Sequence, residues 1–176
     1  MNSTMVIKIL NQQDSLKFKE LRLLSFQESP FSFSESYEDE CNKSITEFEN
    51  DLYQIGNPIE SFVIGIFTES SELIGIAKFK RDTRTKAKHK AMIHAFYILP
   101  EYRKKGLGKR LMINLLKKAK AISGLEQIHL WVLISNDSAL KFYEKCGFVT
   151  QGSEVKNDLK INDQYVDAVY MVNYIK

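Results

Sequence analysis

Arg103-Lys104-Lys105-Gly106-Leu107-Gly108 combines residue types suited to holding a phosphate. Glycines let the backbone come close to an anion, and successive amides at the start of a helix can point at it. The basic side chains of Arg103, Lys104, Lys105, Lys109 and Arg110 favour a multiply charged group such as a pyrophosphate. The spacing is neither the G-x-G-x-x-G of dinucleotide-binding folds nor the Gly-Lys-Ser/Thr ending of a nucleotide P-loop. Two glycines in a basic loop also make an ordinary strand-to-helix turn, so the loop alone leaves both roles open. Downstream lies a second stretch, Asn136-Asp137-Ser138-Ala139-Leu140-Lys141-Phe142-Tyr143-Glu144-Lys145-Cys146-Gly147-Phe148.

These residues need elements to hold them. Residues 91–99 read as a strand, which Pro100 stops because it cannot donate to a ladder. Leu107, Leu111, Leu115, Ala119 and Ile122 form one stripe of a helix, leaving Lys117, Lys118 and Lys120 toward solvent. Gly124 ends that helix, and residues 127–133 read as a strand with Ile128, Leu130 and Val132 on one face. Strand, helix and strand then make a right-handed crossover with the two strands parallel. Ligands of such sheets bind beyond the carboxyl ends of the strands, where residues 98–108 and 135–138 lie.

Upstream, residues 5–10 form a short apolar strand. Asp14 or Ser15 can cap a helix carrying Leu16, Leu21 and Leu24, which Pro30 ends. Residues 31–56 read as irregular, then helical, with Ser44 and Glu47 at capping-box spacing before Ile45, Phe48 and Leu52. Strands at 61–67 and 73–79 flank the turn Glu69-Ser70-Ser71-Glu72. Downstream, a short helix over 138–145 ends at Gly147 as a left-handed cap, strand character resumes at Phe148, a turn falls at Asn162-Asp163, and 165–174 closes the sheet.

At 176 residues the chain suits one well-buried domain, 1–176, and its 44% hydrophobic and 27% charged residues are ordinary for a globular protein. No apolar run reaches a membrane span and the start lacks a signal peptide's long apolar core, so a cytoplasmic protein with no membrane partner is expected. Cys41 and Cys146 fit no metal spacing, and no metal site is expected. A net charge of +3 does not argue for nucleic acid. The basic cluster Lys78, Lys80, Arg81, Arg84, Lys86, Lys88 and Lys90 reads as a solvated hairpin tip without the interleaved aromatics of a single-strand-binding surface.

The two stretches together, in this order and each on its element, resemble the R/Q-x-x-G-x-G/A and N-x-x-A-x-x-x-Y-x-x-x-G-F signatures of the GNAT superfamily of N-acetyltransferases. The specific motifs cover about residues 93–148. The resemblance implies an α/β (α+β) fold: a mixed, mostly antiparallel sheet of six to seven strands, about four flanking helices and a splayed central strand pair. It implies an acetyl-CoA-dependent acyltransferase that passes acetyl to a primary amine of a small molecule by direct attack in a ternary complex. No Cys or Ser shows the context of an activated nucleophile. A protein or peptide acceptor and a non-catalytic acyl-CoA-binding module remain alternatives, and a homodimer is a family-level possibility.

Roles follow from the same resemblance. Main-chain groups around Tyr97, Ile98 and Leu99 would pair with the pantetheine arm, and the amides of Arg103, Lys104, Lys105, Gly106, Leu107 and Gly108, with Lys109, would take the pyrophosphate. Asn136 would hydrogen-bond the arm beside Ser138, and Tyr143, a phenol protonated at neutral pH, would give its proton to the departing thiolate. The amide of Ile98 could polarise the thioester carbonyl. Many members carry a glutamate base on the strand before the phosphate loop, and that place is Met92 here. His94 shares the strand face and is the base candidate, with Glu101 and a water chain as alternatives. Phe31, Phe33 and Tyr37 could line an acceptor wall or serve as core.

Overall fold

The structure is a computed structural model that describes residues 5–53 and 60–175. The chain start before Met5, and residues 54–56 of the expected helical segment, lie outside the described residues. Among the described residues the apolar runs form eight strands: β1 (Val6–Ile9), β2 (Ser61–Phe67), β3 (Leu73–Arg81), β4 (Lys90–Ile98), β5 (Gln127–Leu133), β6 (Val149–Thr150), β7 (Val155–Ile161) and β8 (Gln164–Tyr174). Five α-helices accompany them: α1 (Ser15–Glu28), α2 (Tyr37–Cys41), α3 (Ile45–Tyr53), α4 (Leu107–Lys120) and α5 (Asp137–Lys145). The sheet order is β1-β2-β3-β4-β5-β8-β6, with β7 also on β8. Every pairing is antiparallel except β4 with β5. The elements beyond the expected count are the shortest, β6 and α2; α2 is set by a Ser36–Asp39 capping box inside the segment expected to be irregular.

Helix α4 packs on β2, β3 and β4 through Leu107, Leu111, Leu115 and Ala119, all buried. Fully burying a leucine contributes roughly 1.5–3 kcal/mol, so this stripe fixes the helix on the sheet. The opposite face of β3 carries α1 and α3: Lys78 there donates to Asp51 of α3 at 2.7 Å, while its neighbour Phe79 turns the other way and stacks on Phe62. The expected capping box before α3 forms, with Ser44 N donating to Glu47 and Glu47 N to Ser44 Oγ.

Two expectations need correction. Leu16 and Leu24 are exposed, and the buried stripe of α1 is Phe18, Leu21, Arg22, Ser25 and Phe26. That set keeps helical spacing but includes a cation and a hydroxyl, so of the three expected leucines only Leu21 lies on the buried face. The basic cluster at 78–90 is not simply a solvated tip either. Arg81 is 9% exposed and donates to Glu60, to the carbonyl of Lys88 and to the carbonyl of Ser123. It ties the β3–β4 hairpin to the segment entering β5.

That tie sits at the closed end of the feature that organises the molecule. Strands β4 and β5 pair only through Lys90↔Gln127, Ala91↔Ile128 and Met92↔His129. Beyond His129 they diverge, although β4 continues to Ile98 and β5 to Leu133. β4 is also bulged: Lys78 pairs with Ala95 and Phe79 with Ile93, which leaves His94 unopposed on β3.

Candidate active site

The splay creates an unpaired backbone edge inside the sheet. Leu99 N donates to Ile74 O at 2.9 Å, so residues 95, 97 and 99 exchange bonds with β3. By the alternation of an antiparallel ladder the amides of Phe96 and Ile98 face the other way, toward the gap where β5 has left. The Ile98 carbonyl on that edge accepts from Arg103 Nε at 2.8 Å.

The chain next turns through Pro100–Tyr102 into the glycine loop. Lys104 and Gly106 both have positive φ, 59° and 78°, a curl that makes neighbouring amides converge. Arg110 N donates to Gly106 O, the first bond of α4. The amides of residues 104–109 have no backbone or side-chain acceptor among the described residues. They form a continuous run of free donors at the N-terminus of α4, where the helix dipole also favours an anion.

A cleft of about 590 Å³ joins this loop to the β4 edge and to α5. Tyr97, Ile98, Arg103, Lys104, Gly106, Gly108, Lys109, Asn136, Ser138 and Tyr143 all line it. Gly108 gives the cleft its narrow waist: a Cβ there would lie 3.6 Å from Phe142 and 3.8 Å from Phe96. Three expected residues stand back from it. Leu99 and Leu107 are core, and Lys105 lies over the Tyr102 ring. Arg103 lines the cleft but is committed elsewhere, its Nη atoms donating to both carboxylate oxygens of Glu28. It locks α1 to the end of β4, and its side chain contributes to shape more than to anion capture.

Asn136 caps α5, its Oδ1 accepting from Ala139 N at 3.1 Å and from Ser138 Oγ at 3.0 Å. Its Nδ2 is left as a donor at the cleft. Tyr143 sits among Phe96, Phe142 and Phe148, whose ring centroids lie 5.3–6.1 Å away. The end of α5 fixes it: Gly147 takes φ 87° and Phe148 N donates back to Tyr143 O, a left-handed cap in which the two aromatic rings meet. No group among the described residues hydrogen-bonds the Tyr143 hydroxyl, and burial, with a smaller contribution from Cys146, raises its pKa. Tyr97 is pushed up to about 12 by burial and by Glu28.

His94 is not in this cleft. It lines a separate pocket of about 130 Å³ on the α1–α3 face with Arg22, Glu35, Glu40, Asp51, Lys78 and Lys80. Desolvation, then the charges of Lys78 and Lys80, lowers its pKa, so it is neutral near pH 7. Met92 lies on that face, and Glu101 stays exposed in the turn after β4. A third cavity of about 540 Å³ runs from the end of α1 across α2 to the β7–β8 turn, and Tyr37 and Phe33 line it. Phe33 also lines the cleft and Glu35 also lines the His94 pocket, so this cavity shares a wall with each of the other two. Phe31, half exposed, lines none of them.

Phe96 and Phe142, which face Tyr143, and Arg22 escaped the sequence reading. Arg22 had a signal: a charged residue four after Phe18 and four before Phe26, on the apolar stripe of α1. Among the described residues no group of three His, Cys, Asp or Glu side chains is placed to hold a metal, and no helix is long and apolar enough to cross a membrane.

Comparison with known proteins converges on this architecture. A spermidine N(1)-acetyltransferase of Vibrio cholerae is 34% identical over 83 residues, 47% of each chain. An L-amino acid N-acetyltransferase of Escherichia coli is 33% identical over 70 residues, 40% of this chain and 43% of its own. The chain thus spans less than half the length of these curated relatives. A GNAT-family acetyltransferase from Streptococcus pneumoniae superposes with a TM-score of 0.86 at 21% identity, over 98% of this chain and 100% of its own. The sequence profile of the acetyltransferase (GNAT) family matches residues 19–148, which span the splay, the glycine loop and Tyr143, and the chain belongs to that family.

Proposed function

We propose that the chain is a single N-acetyltransferase domain that passes acetyl from acetyl-CoA to a primary amine of a small molecule. The observation that carries this is the run of unpaired amides at 104–109 opening into the same cleft as the β4 edge and Tyr143. Diphosphate fits the amide run and Lys109, and an amide-bearing arm fits the free edge of Phe96 and Ile98, with Asn136 Nδ2 as a further donor. The small-molecule acceptor is supported by the relatives, which are named for spermidine and for amino acids.

The acceptor nitrogen adds its lone pair to the thioester carbonyl carbon, with the Ile98 amide donating to the carbonyl oxygen. Collapse breaks the carbon–sulfur bond; the thiolate takes the Tyr143 proton, and the nitrogen's proton passes through water to His94 in the neighbouring pocket. The products are an amide and a free thiol, and Tyr143 is reprotonated from solvent. Desolvation keeps Tyr143 protonated until the thiolate departs, as an acid must be. His94 starts neutral, as a base must.

The test is thiol release from acetyl-CoA across a panel of amines. Release that depends on the amine, and that falls in Tyr143→Phe while acetyl-CoA affinity holds, supports the transferase. Tight acetyl-CoA binding with no release for any amine, or equal release in Tyr143→Phe, points to a binding module. No acetyl-CoA binding refutes the assignment altogether.

A further inference from the structure

Arg22 is the most anomalous charge in the molecule. It is 5% exposed, on the buried stripe of α1, and its Nη1 has no hydrogen-bond partner among the described residues. Its guanidinium carbon lies 4.3 Å from the centre of the Phe26 ring and 5.0 Å from that of Phe33. The two rings hold the guanidinium without satisfying Nη1. Burying an unmatched guanidinium is unfavourable unless something meets its charge.

Two of the acids nearby are already taken by other cations, and the third is bonded to a serine. Glu40 pairs with Lys43, and Asp51 accepts from Lys78 at 2.7 Å. Glu35 accepts from Ser34 at 3.1 Å. With those pairs made, Arg22 and the exposed Lys80 face the pocket against the single carboxylate of Glu35, which leaves positive charge in excess. The carboxylates around it act at a distance, partly offsetting the desolvation that lowers the Arg22 pKa.

Resting on the transferase assignment above, we propose that Arg22 receives the carboxylate of the acceptor, and that the acceptor is an α-amino acid or a similarly compact amino-carboxylate. A planar guanidinium pairs with a carboxylate through two parallel hydrogen bonds, a match a lone ammonium lacks. The pocket volume of about 130 Å³ equals roughly four water molecules' share of the liquid, room for a head group of about five heavy atoms. An amino acid's amine, α-carbon and carboxylate make five. The second charge of a zwitterion also has its counterpart: Glu35 faces the same pocket and can hold the ammonium until His94, on the pocket wall, takes its proton. Phe33 packs on Arg22 and also lines the Tyr143 cleft, so the head-group pocket borders the cleft.

The direct test is calorimetric titration of the CoA-loaded protein with L-amino acids and with the corresponding carboxamides, which keep the amine and side chain but lose the negative charge. At least one acid should bind about 10- to 100-fold tighter than its amide. Arg22→Met, which fills the same space without charge, should bring the pair within about twofold of each other with acetyl-CoA affinity unchanged. Arg22→Lys should keep only part of the preference. Should Arg22→Met fail to fold, the wild-type comparison and Lys80→Gln at the rim still decide, the latter lowering the preference a few-fold. Amides binding as well as acids, no acid binding at all, or a preference that survives Arg22→Met in the folded protein would each overturn the proposal. Thiol release on the same panel separates the two assignments. Discrimination without release sinks the transferase and leaves the anion site standing, whereas release indifferent to the carboxylate does the reverse.

Discussion

The cleft at the splay and the pocket around Arg22 are linked through Phe33, yet they are built from different material. The cleft offers mainly backbone groups: the free edge of β4 and the amides of 104–109, beside Asn136 seated as a helix cap. The pocket offers side chains drawn from α1, α2, α3, β3 and β4, of which only His94 and Ala95 are neighbours in sequence. Backbone recognition suits a ligand that does not change, because only glycines and caps are required. Side-chain recognition can be rewritten one residue at a time, which suits the half of a reaction where acceptors differ.

Mutations can break that division. Tyr143→Phe, on the cleft side, should lower turnover about 1,000-fold. Acetyl-CoA affinity measured calorimetrically should change less than twofold, and a large loss of affinity would mean that the hydroxyl binds rather than gives a proton. Arg81→Ala, at the closed end of the splay, should destabilise the fold by about 2 kcal/mol, chiefly because the carbonyls of Lys88 and Ser123 lose their shared donor. Chemical denaturation reads this, and a loss below 1 kcal/mol would show the tie to be incidental.

His94→Ala sharpens the pocket's role. Turnover should fall about 100-fold with acetyl-CoA affinity intact. The pH profile carries the sign: a base works when deprotonated, so wild-type kcat/KM should fall as pH drops through the His94 pKa, below the ordinary imidazole value. The acid limb should vanish in the variant; a limb that persists unchanged assigns it to another group. The smallest effect separates the two glycines. Gly106→Ala, at φ 78°, should cost about 1 kcal/mol and lower Tm by about 2–4 °C. Gly108→Ala should leave Tm unchanged, since its Cβ meets only ordinary contacts at 3.6 Å, but should weaken acetyl-CoA binding by crowding the cleft waist. Equal melting shifts in both would refute the distinction.

Much of the cleft could be read from sequence because its parts are local. Gly106 and Gly108, Asn136 before α5, and the Tyr143–Gly147 cap each leave a fixed spacing, and the strand order around them follows from short hairpins and one crossover. The reading failed where function depends on what approaches from afar. Arg103 looked like a phosphate ligand until α1 brought Glu28 to it. The bulge at His94, which decides which way each later residue of β4 points, left no composition signal. Arg22 was visible only as a charge on the wrong side of a helix, and Leu16 and Leu24 of α1 drew attention to the exposed face instead.

The early parting of β4 and β5 also bears on how the protein keeps company in a crowded solution. Most sheets have two outer edges whose unpaired amides invite a neighbour's strand, and they defend them with charge, twist or brevity. This sheet has in addition an inner pair of edges, along β4 and β5 beyond His129. Their protection is position: each faces the other across a gap joined at its base, with α4, α5 and the glycine loop around it. A foreign strand from a folded chain cannot be threaded into that gap, whereas a slender, flexible molecule can enter from the open end. Placing its hungriest backbone groups in the middle of the sheet lets the protein keep them available without making them a site of aggregation.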